Sequence, residues 1–333
     1  MRKLLPILML SALIFGCALP EKQAVFMTMG TVMDLKANAA SQAPLDEAQR
    51  LIEDYDKQLN PEGEGHLGML NRGGSVAWED AANIRSLLAL GLEARALTGG
   101  AFSPGMLKPV RAWGFGPDAA KGMTPSSEAI EAFLQEEAQL DALHLPDDGV
   151  QDVFTLPDGV MLDFGGIAKG WLGDRLVELM AREGVASAIL SLGGNVVCIG
   201  APQGGSTWRV GVAHPRGEGV YATVEGRNMH VVTSADDQRF YFDETGQRIC
   251  HIIDPRTMHP ASAGLISVTV ITPFRQDGGA WADMLSTAAF VLGSEAGIAL
   301  LENADPPVAY VAMMTDGRVL TGGDNTIAQV TAP

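Results

Sequence analysis

Ala186-Ser187-Ala188-Ile189-Leu190-Ser191-Leu192-Gly193-Gly194-Asn195-Val196-Val197-Cys198-Ile199 is a strongly apolar stretch cut by two glycines. It reads as a strand, and paired glycines inside a strand mark a bulge, close packing or the approach of a ligand. Just upstream, Val160–Asp163 reads as a strand and Gly170–Glu183 as a helix. Downstream, Trp208–Ala213, Met229–Ser234, Arg239–Phe242 and Leu265–Thr272 read as strands at hairpin-like spacing. A helix from about Gly278 to Leu292 follows, then another near Glu295–Glu302 and strands around Val308–Met313 and Val319–Thr321. Toward the N-terminus, Ala24–Leu35 reads as a strand interrupted at Met29-Gly30-Thr31. Residues 45–59, Ala81–Leu97 and 126–139 carry helical spacing or start and stop signals. Strands in runs with helices around them predict an α+β fold, a largely antiparallel sheet with packed helices.

The extreme N-terminus reads differently. Arg2 and Lys3 precede an apolar run from Leu4 to Phe15, too short to span a membrane and suited to a secretory signal. Ile14-Phe15-Gly16-Cys17 resembles a bacterial lipobox, although Phe15 is bulky for its place. The expectation is a signal peptide at 1–16, lipidation of Cys17, a linker over 17–23 and one domain over 24–330. Two acyl chains suffice for stable anchoring, which would put the domain on the periplasmic side of a bacterial membrane. An ordinary cleaved signal is the alternative. The 40 acidic and 23 basic residues give a net charge of −17, which argues against a nucleic-acid partner.

Two segments carry chemistry most directly. His251-Ile252-Ile253-Asp254-Pro255-Arg256-Thr257 reads as a strand entering a Pro-fixed turn that presents a His, an Asp and an Arg. In Ala280-Trp281-Ala282-Asp283-Met284-Leu285-Ser286-Thr287, Asp283 and Thr287 stand at i and i+4, on one helical face. A carboxylate and a hydroxyl beside a backbone carbonyl suit a hard ion such as Mg²⁺, and so suggest phosphate chemistry. Asp163-Phe164-Gly165-Gly166-Ile167-Ala168-Lys169-Gly170 closes a strand and opens a helix, where glycines and helix N-terminal amides favour an anion. It is neither a Walker A loop nor G-x-G-x-x-G, and a Gly-rich turn of this kind can equally be structural. Thr98-Gly99-Gly100-Ala101-Phe102-Ser103-Pro104 caps a helix and could wall a flat aromatic ligand or merely end the helix. The histidines other than His251 have no partners at zinc-ligand spacing.

Taken together, Met29-Gly30-Thr31, Leu70-Asn71, Thr98 to Phe102, Trp113-Gly114-Phe115, Asp163 to Gly170, Gly193-Gly194, Thr233-Ser234, His251 to Thr257 and Ala282-Asp283 with Ser286-Thr287 resemble, in order, the ApbE-type FAD:protein FMN transferases. The resemblance implies a T-fold-like α+β architecture. It also implies Mg²⁺-dependent cleavage of FAD, transfer of FMN to a Ser or Thr hydroxyl of an acceptor protein, and release of AMP. The expected acceptor is a subunit of a membrane redox complex. Carried onto this chain, the resemblance makes Asp283 and Thr287 metal ligands, with backbone oxygens of Gly166 and Ala280. Met29, Ala101, Phe102, Ser103, Asp163, Lys169 and Ile253 would line the FAD site, and His251 would move the proton of the acceptor hydroxyl.

The chain departs from the family pattern at four places. Pro61 stands where many members have a stacking tyrosine, and Ser103 where an aspartate is common. Ala235 and Met258 replace usual glycines. A periplasmic FAD pyrophosphatase giving FMN and AMP, or a non-catalytic FAD-binding lipoprotein, remain the alternative readings.

Overall fold

A computed structural model describes residues 19–116, 122, 124–143, 145 and 153–332. The expected signal peptide over 1–16 and the expected lipidation site Cys17 lie outside the described residues.

An eight-stranded sheet organises the molecule. Its spatial order is Glu21–Thr28, Thr31–Asn38, Ala188–Leu192, Asn195–Ile199, Met229–Ala235, Leu265–Pro273, Ala309–Met314 and Val319–Gly323. Every neighbouring pair in it is antiparallel. The first strand starts at Glu21, so residues 21–23, read as linker, already pair across to Lys36–Asn38.

Gly193-Gly194 is neither a bulge nor a strand interior. Leu192 pairs with Asn195, so the two glycines form a two-residue hairpin turn, with φ of 66° and 107°. Positive φ at both positions suits glycine and matches the twist of the flanking strands. The end of the first hairpin sits directly beside it: a Cβ on Gly193 would fall 2.2 Å from Thr31 Oγ1.

Side-chain alternation gives the sheet two buried faces. Val232, Val268, Val270 and Ala312 face the helices and join a core with Trp171, Leu285 and Phe290. Val231, Ile271, Val311 and Met313 face the opposite way. There they pack on a three-stranded sheet made of Trp208–Ala213, Val220–Gly226 and Gln329–Thr331. Each fully buried Leu, Ile, Val or Phe contributes about 1.5–3 kcal/mol.

The helix Gly278–Glu302 lies against this sheet and is apolar almost all round. It is long and apolar enough to cross a membrane, but Ala280, Met284, Leu285, Ala288, Ala289, Phe290 and Val291 are buried in the core. Its backbone breaks at Gly293, φ 83°, where the sequence separates two helices. Cys198 and Cys250 are buried and unbridged, and burial pushes their thiols up to about 12 and about 11.

Candidate functional site

The site starts from an extended stretch rather than a strand. Residues Val160–Asp163 hold no sheet pairing. Instead, the Leu162 N–H donates to Asn71 Oδ1 at 2.8 Å, and Asn71 Nδ2 donates to the Leu162 carbonyl, also at 2.8 Å. Asp163 N–H donates to the Pro104 carbonyl at 2.8 Å, and Asp163 Oδ1 accepts from Gly165 N–H at 2.7 Å. The Phe164 carbonyl then takes the amides of Ile167 and Ala168, and the helix Ala168–Arg182 begins. Lys169 Nζ turns back toward the Gly165 carbonyl at 3.3 Å.

Gly166 is where three segments meet. A Cβ there would lie 3.1 Å from Phe102 Cε2 and 3.4 Å from Thr287 Oγ1. Phe102 is held by its own loop, because Thr98 Oγ1 accepts the Phe102 amide and donates to the Ala94 carbonyl. Gly99 and Gly100, both at positive φ, bring that loop beside the aliphatic part of Arg256. Ala101 and Ser103 are buried, and the Ser103 hydroxyl accepts from Gly105 N–H.

The starts of the helices Ala168–Arg182 and Gly278–Glu302 cross at glycines. A Cβ on Gly170 would collide with the Gly279 carbonyl at 2.1 Å, and one on Gly279 with the Gly170 carbonyl at 2.3 Å. At that closeness each helix reaches the other's amides. Asp283 Oδ2 accepts from Gly170 N–H at 2.8 Å. Asp174 accepts from Gly279 N–H at 2.8 Å and Ala280 N–H at 3.0 Å.

Asp283 therefore does not stand on a helix surface, as its spacing alone suggests, but is 4% exposed. Burial pushes its carboxyl above the usual range, while Lys169 and the Gly170 amide pull it back. Asn195 is itself buried, and its Nδ2 has no hydrogen-bond partner. Thr287 Oγ1 lies 3.2 Å from Ser234 Oγ, which also meets Ser286 Oγ at 2.8 Å. The Thr233-Ser234 pair thus reaches the helix through its serine.

His251 occupies another wall. Its backbone amide and Nδ1 both face the Arg239 carbonyl, at 3.1 and 3.3 Å. With the Nδ1 proton on that carbonyl, Nε2 keeps its lone pair. Phe115 meets the ring edge-on at 6.3 Å between centroids. The residue is half-buried, and the protein packed around its ring pushes its pKa down to about 4, helped by the charges of Arg239 and Lys169. Lys169 is the cation that both His251 and Asp283 feel. After His251, Asp254 grips the Arg256 guanidinium through two contacts of 2.9 and 2.8 Å. Ile253 is buried with Trp113, Phe115, Ile249 and Met258.

A family profile, the ApbE family, matches residues 29–312. The chain belongs to the ApbE family. It is 32% identical over 297 residues to the FAD:protein FMN transferase of Treponema pallidum, covering 83% of this chain and 78% of that one. With the enzyme of the same name from Vibrio cholerae it shares 28% over 316 residues, 92% of each. Among solved structures, the ApbE protein of Thermotoga maritima superposes with a TM-score of 0.80 at 26% identity, covering 91% of this chain and 97% of that one. The apo flavinyl transferase ApbE of Pseudomonas stutzeri gives 0.76 at 28%, covering 92% and 97%. The expected α+β architecture is the one observed.

Within this ApbE chain, the sequence-named Phe102, Gly166, Lys169, Asp283, Thr287 and His251 come to one region. Ala280 joins them through the helix start. Met29 sits on the turn of the first hairpin, at φ 49°, with its amide on Asp56 Oδ2 at 3.1 Å. Sequence reading missed Asp174, and left His230 without a partner. His230 Nε2 in fact lies 3.1 Å from Asp174 Oδ1, with both side chains buried. The one local signal was Asp174 at i+4 from Gly170, on the same helical face.

Among the described residues, no three His, Cys, Asp or Glu side chains converge as a metal cage. The donor set at Asp283 is instead one carboxylate and one hydroxyl, beside a glycine whose missing side chain leaves room next to Thr287. That composition fits Mg²⁺, which keeps waters and takes substrate phosphates as ligands rather than demanding an all-protein cage.

Proposed function

We propose that this chain cleaves the pyrophosphate of FAD, transfers FMN to a Ser or Thr hydroxyl of an acceptor protein, and releases AMP. One observation carries the reading: in an ApbE chain, Thr287 Oγ1 and the Phe102 ring both close on Gly166, and Thr287 lies on the helix that also holds Asp283. Asp283 and Thr287, with the carbonyl oxygens of Gly166 and Ala280, would hold Mg²⁺. Bound there, the ion supplies charge neutralisation for the pyrophosphate and for the departing AMP.

The chain's own groups do the rest. Lys169 adds a second positive charge near Asp283. Phe102 and the 98–103 loop border the space for FAD, together with Met29, Asp163 and Ile253. His251 Nε2 accepts the proton of the acceptor hydroxyl as its oxygen bonds to the FMN phosphorus. The bond to the AMP oxygen breaks in the same displacement. A neutral imidazole is the form that can take this proton.

Water in place of the acceptor hydroxyl would give FMN and AMP, the second reading. A flavin-binding lipoprotein without turnover is the third, and Pro61 is its hint: it supplies no aromatic ring where a flavin-stacking tyrosine is common, and its carbonyl receives Asn71 Nδ2 at 3.0 Å. The deciding experiment incubates the full chain with FAD, with Mg²⁺ or with EDTA, and with candidate acceptors. Mg²⁺-dependent AMP with flavin covalently on the acceptor supports transfer. AMP with free FMN only would favour hydrolysis, and no AMP would leave flavin binding.

The same proposal includes anchoring through diacylated Cys17, on the periplasmic side of a bacterial membrane, with a membrane redox-complex subunit as acceptor. What supports it is the signal-like run over residues 4–15 and the lipobox-like Ile14-Phe15-Gly16-Cys17. Cys17→Ser would release the protein from membranes in a fractionation, and an unchanged distribution would exclude the anchor.

A further inference from the structure

Asp174 and His230 are a buried ionisable pair that the proposed chemistry does not use. Asp174 is 5% exposed and His230 2%. Asp174 makes three contacts, to the amides of Gly279 and Ala280 and to His230 Nε2. The first amides of a helix have no partners within it, and buried ones must find them elsewhere. Here the local N-cap residue cannot help: Asp277 is left-handed, at φ 53°, and gives no side-chain cap. A carboxylate from another helix does the capping instead. Next to it, Arg175 pairs with Asp277 at 3.6 Å, so consecutive residues of the helix Ala168–Arg182 hold the same helix start.

From these contacts we infer that Asp174, steadied by His230, is a positioning residue for the metal site. It fixes the start of the helix Gly278–Glu302 so that Ala280, Asp283 and Thr287 present their oxygens together. The inference rests on the Mg²⁺ site proposed above. The geometry is reciprocal: Asp283 caps Gly170 while Asp174 caps Gly279 and Ala280, with only glycine surfaces between the two backbones. The helix start can therefore neither slide nor turn without breaking a carboxylate's contacts. His230 holds the carboxylate in place from the sheet side, its ring against Gly173, Gly279 and Phe274. Asp174 touches no substrate in this arrangement. It acts through the two amides that precede the metal-bearing turn, and supporting contacts of this kind typically change metal affinity roughly 10–100-fold.

The test is Mg²⁺ binding to the full chain, read by calorimetry and by the Mg²⁺-induced rise in melting temperature, for wild type, Asp174→Asn and His230→Leu. Asparagine keeps the shape but turns an NH₂ toward one of the amides. It is expected to weaken Mg²⁺ binding roughly 10-fold or more, with AMP release from FAD restored at saturating Mg²⁺. His230→Leu should weaken binding less, and His230→Gln, which keeps a donor, should recover part of the loss. A purely structural role would lower the metal-free melting temperature and leave Mg²⁺ affinity unchanged, and that result overturns the inference. Should Asp174→Asn fail to fold, the His230 pair decides: equal Mg²⁺ affinity in His230→Leu and wild type also overturns it. Wild-type protein that binds no Mg²⁺ at all would sink the metal-site reading along with the inference, whereas tight wild-type binding matched by both variants sinks the inference alone.

Discussion

The carboxamide of Asn71 satisfies both the N–H and the carbonyl of Leu162, 91 residues further along the chain. It takes the place of a strand partner for the extended residues that lead into Asp163. Asn71→Ala would leave two buried backbone groups unpaired, at roughly 1–3 kcal/mol for each. Urea unfolding should show a loss of stability of that order. A loss under about 0.5 kcal/mol, typical of a neutral surface site, would mean the segment is held some other way.

Gly166 is predicted to be sensitive for function and tolerant for fold. A methyl at 3.1 Å from the Phe102 ring and 3.4 Å from Thr287 Oγ1 requires only a small shift of a side chain, yet it enters the space proposed for metal and FAD. Gly166→Ala should cut Mg²⁺-dependent AMP release at least about tenfold, a cost of about 1.4 kcal/mol, with a melting temperature near wild type. Undiminished release would remove Gly166 from the site.

Asp283 trades stability for chemistry. Burial raises its carboxyl pKa, so folding of the metal-free chain loses stability as pH rises from the unfolded value through the folded one. Asp283→Asn removes that penalty and keeps an oxygen for the Gly170 amide. The metal-free variant should be more stable than wild type at pH 7 and should gain no stability from Mg²⁺. A variant that Mg²⁺ still stabilises would disprove the ligand assignment.

His251 sets the acid limb of the acceptor step. Its folded pKa of about 4 lies below the ordinary value of about 6.5, so the neutral ring persists to lower pH than usual. The same shift contributes stability at neutral pH that is lost as pH falls from about 6.5 toward 4. Single-turnover FMN transfer, at saturating Mg²⁺, should stay level from pH 8 to 5. A limb with a midpoint near 6.5 would show that the ring is not shielded as described.

Met258 stands at φ 58° where the family usually has glycine, and it is wholly buried against Trp113 and Ile253. Reverting to glycine relieves a left-handed backbone worth about 1–2 kcal/mol. It also empties a buried methionine site, at about 2–5 kcal/mol. The packing term is the larger, so Met258→Gly should lower the melting temperature despite matching the family pattern. A rise would mean the surrounding cluster collapses to fill the space.

Much of this was legible before any coordinates. Asp283 and Thr287 announced themselves by helical spacing, and the break at Gly293 by the change from apolar to polar residues after Leu292. The hairpin at Gly193-Gly194 was hidden because both of its strands are apolar, so no change of pattern separates them. Val160–Asp163 looked like a strand because it is apolar and extended, while its actual partner is a side chain. The short helices His66–Asn71 and Leu107–Ala112 are too brief to show periodicity. Asp174 and His230 escaped for a different reason: beyond the i+4 spacing of Asp174 from Gly170, a buried carboxylate that caps another helix leaves no local trace, since the amides it caps lie more than a hundred residues away.

The exchange of carboxylates between the two helices also sets a timetable. The Gly170 amide receives its cap from residue 283, and the Gly279 and Ala280 amides receive theirs from residue 174. A nascent chain that has not yet emerged past Thr287 therefore holds most of the sheet and one half of a clasp. The two helix starts lock together only once residue 174 and residues 279–283 are both in place.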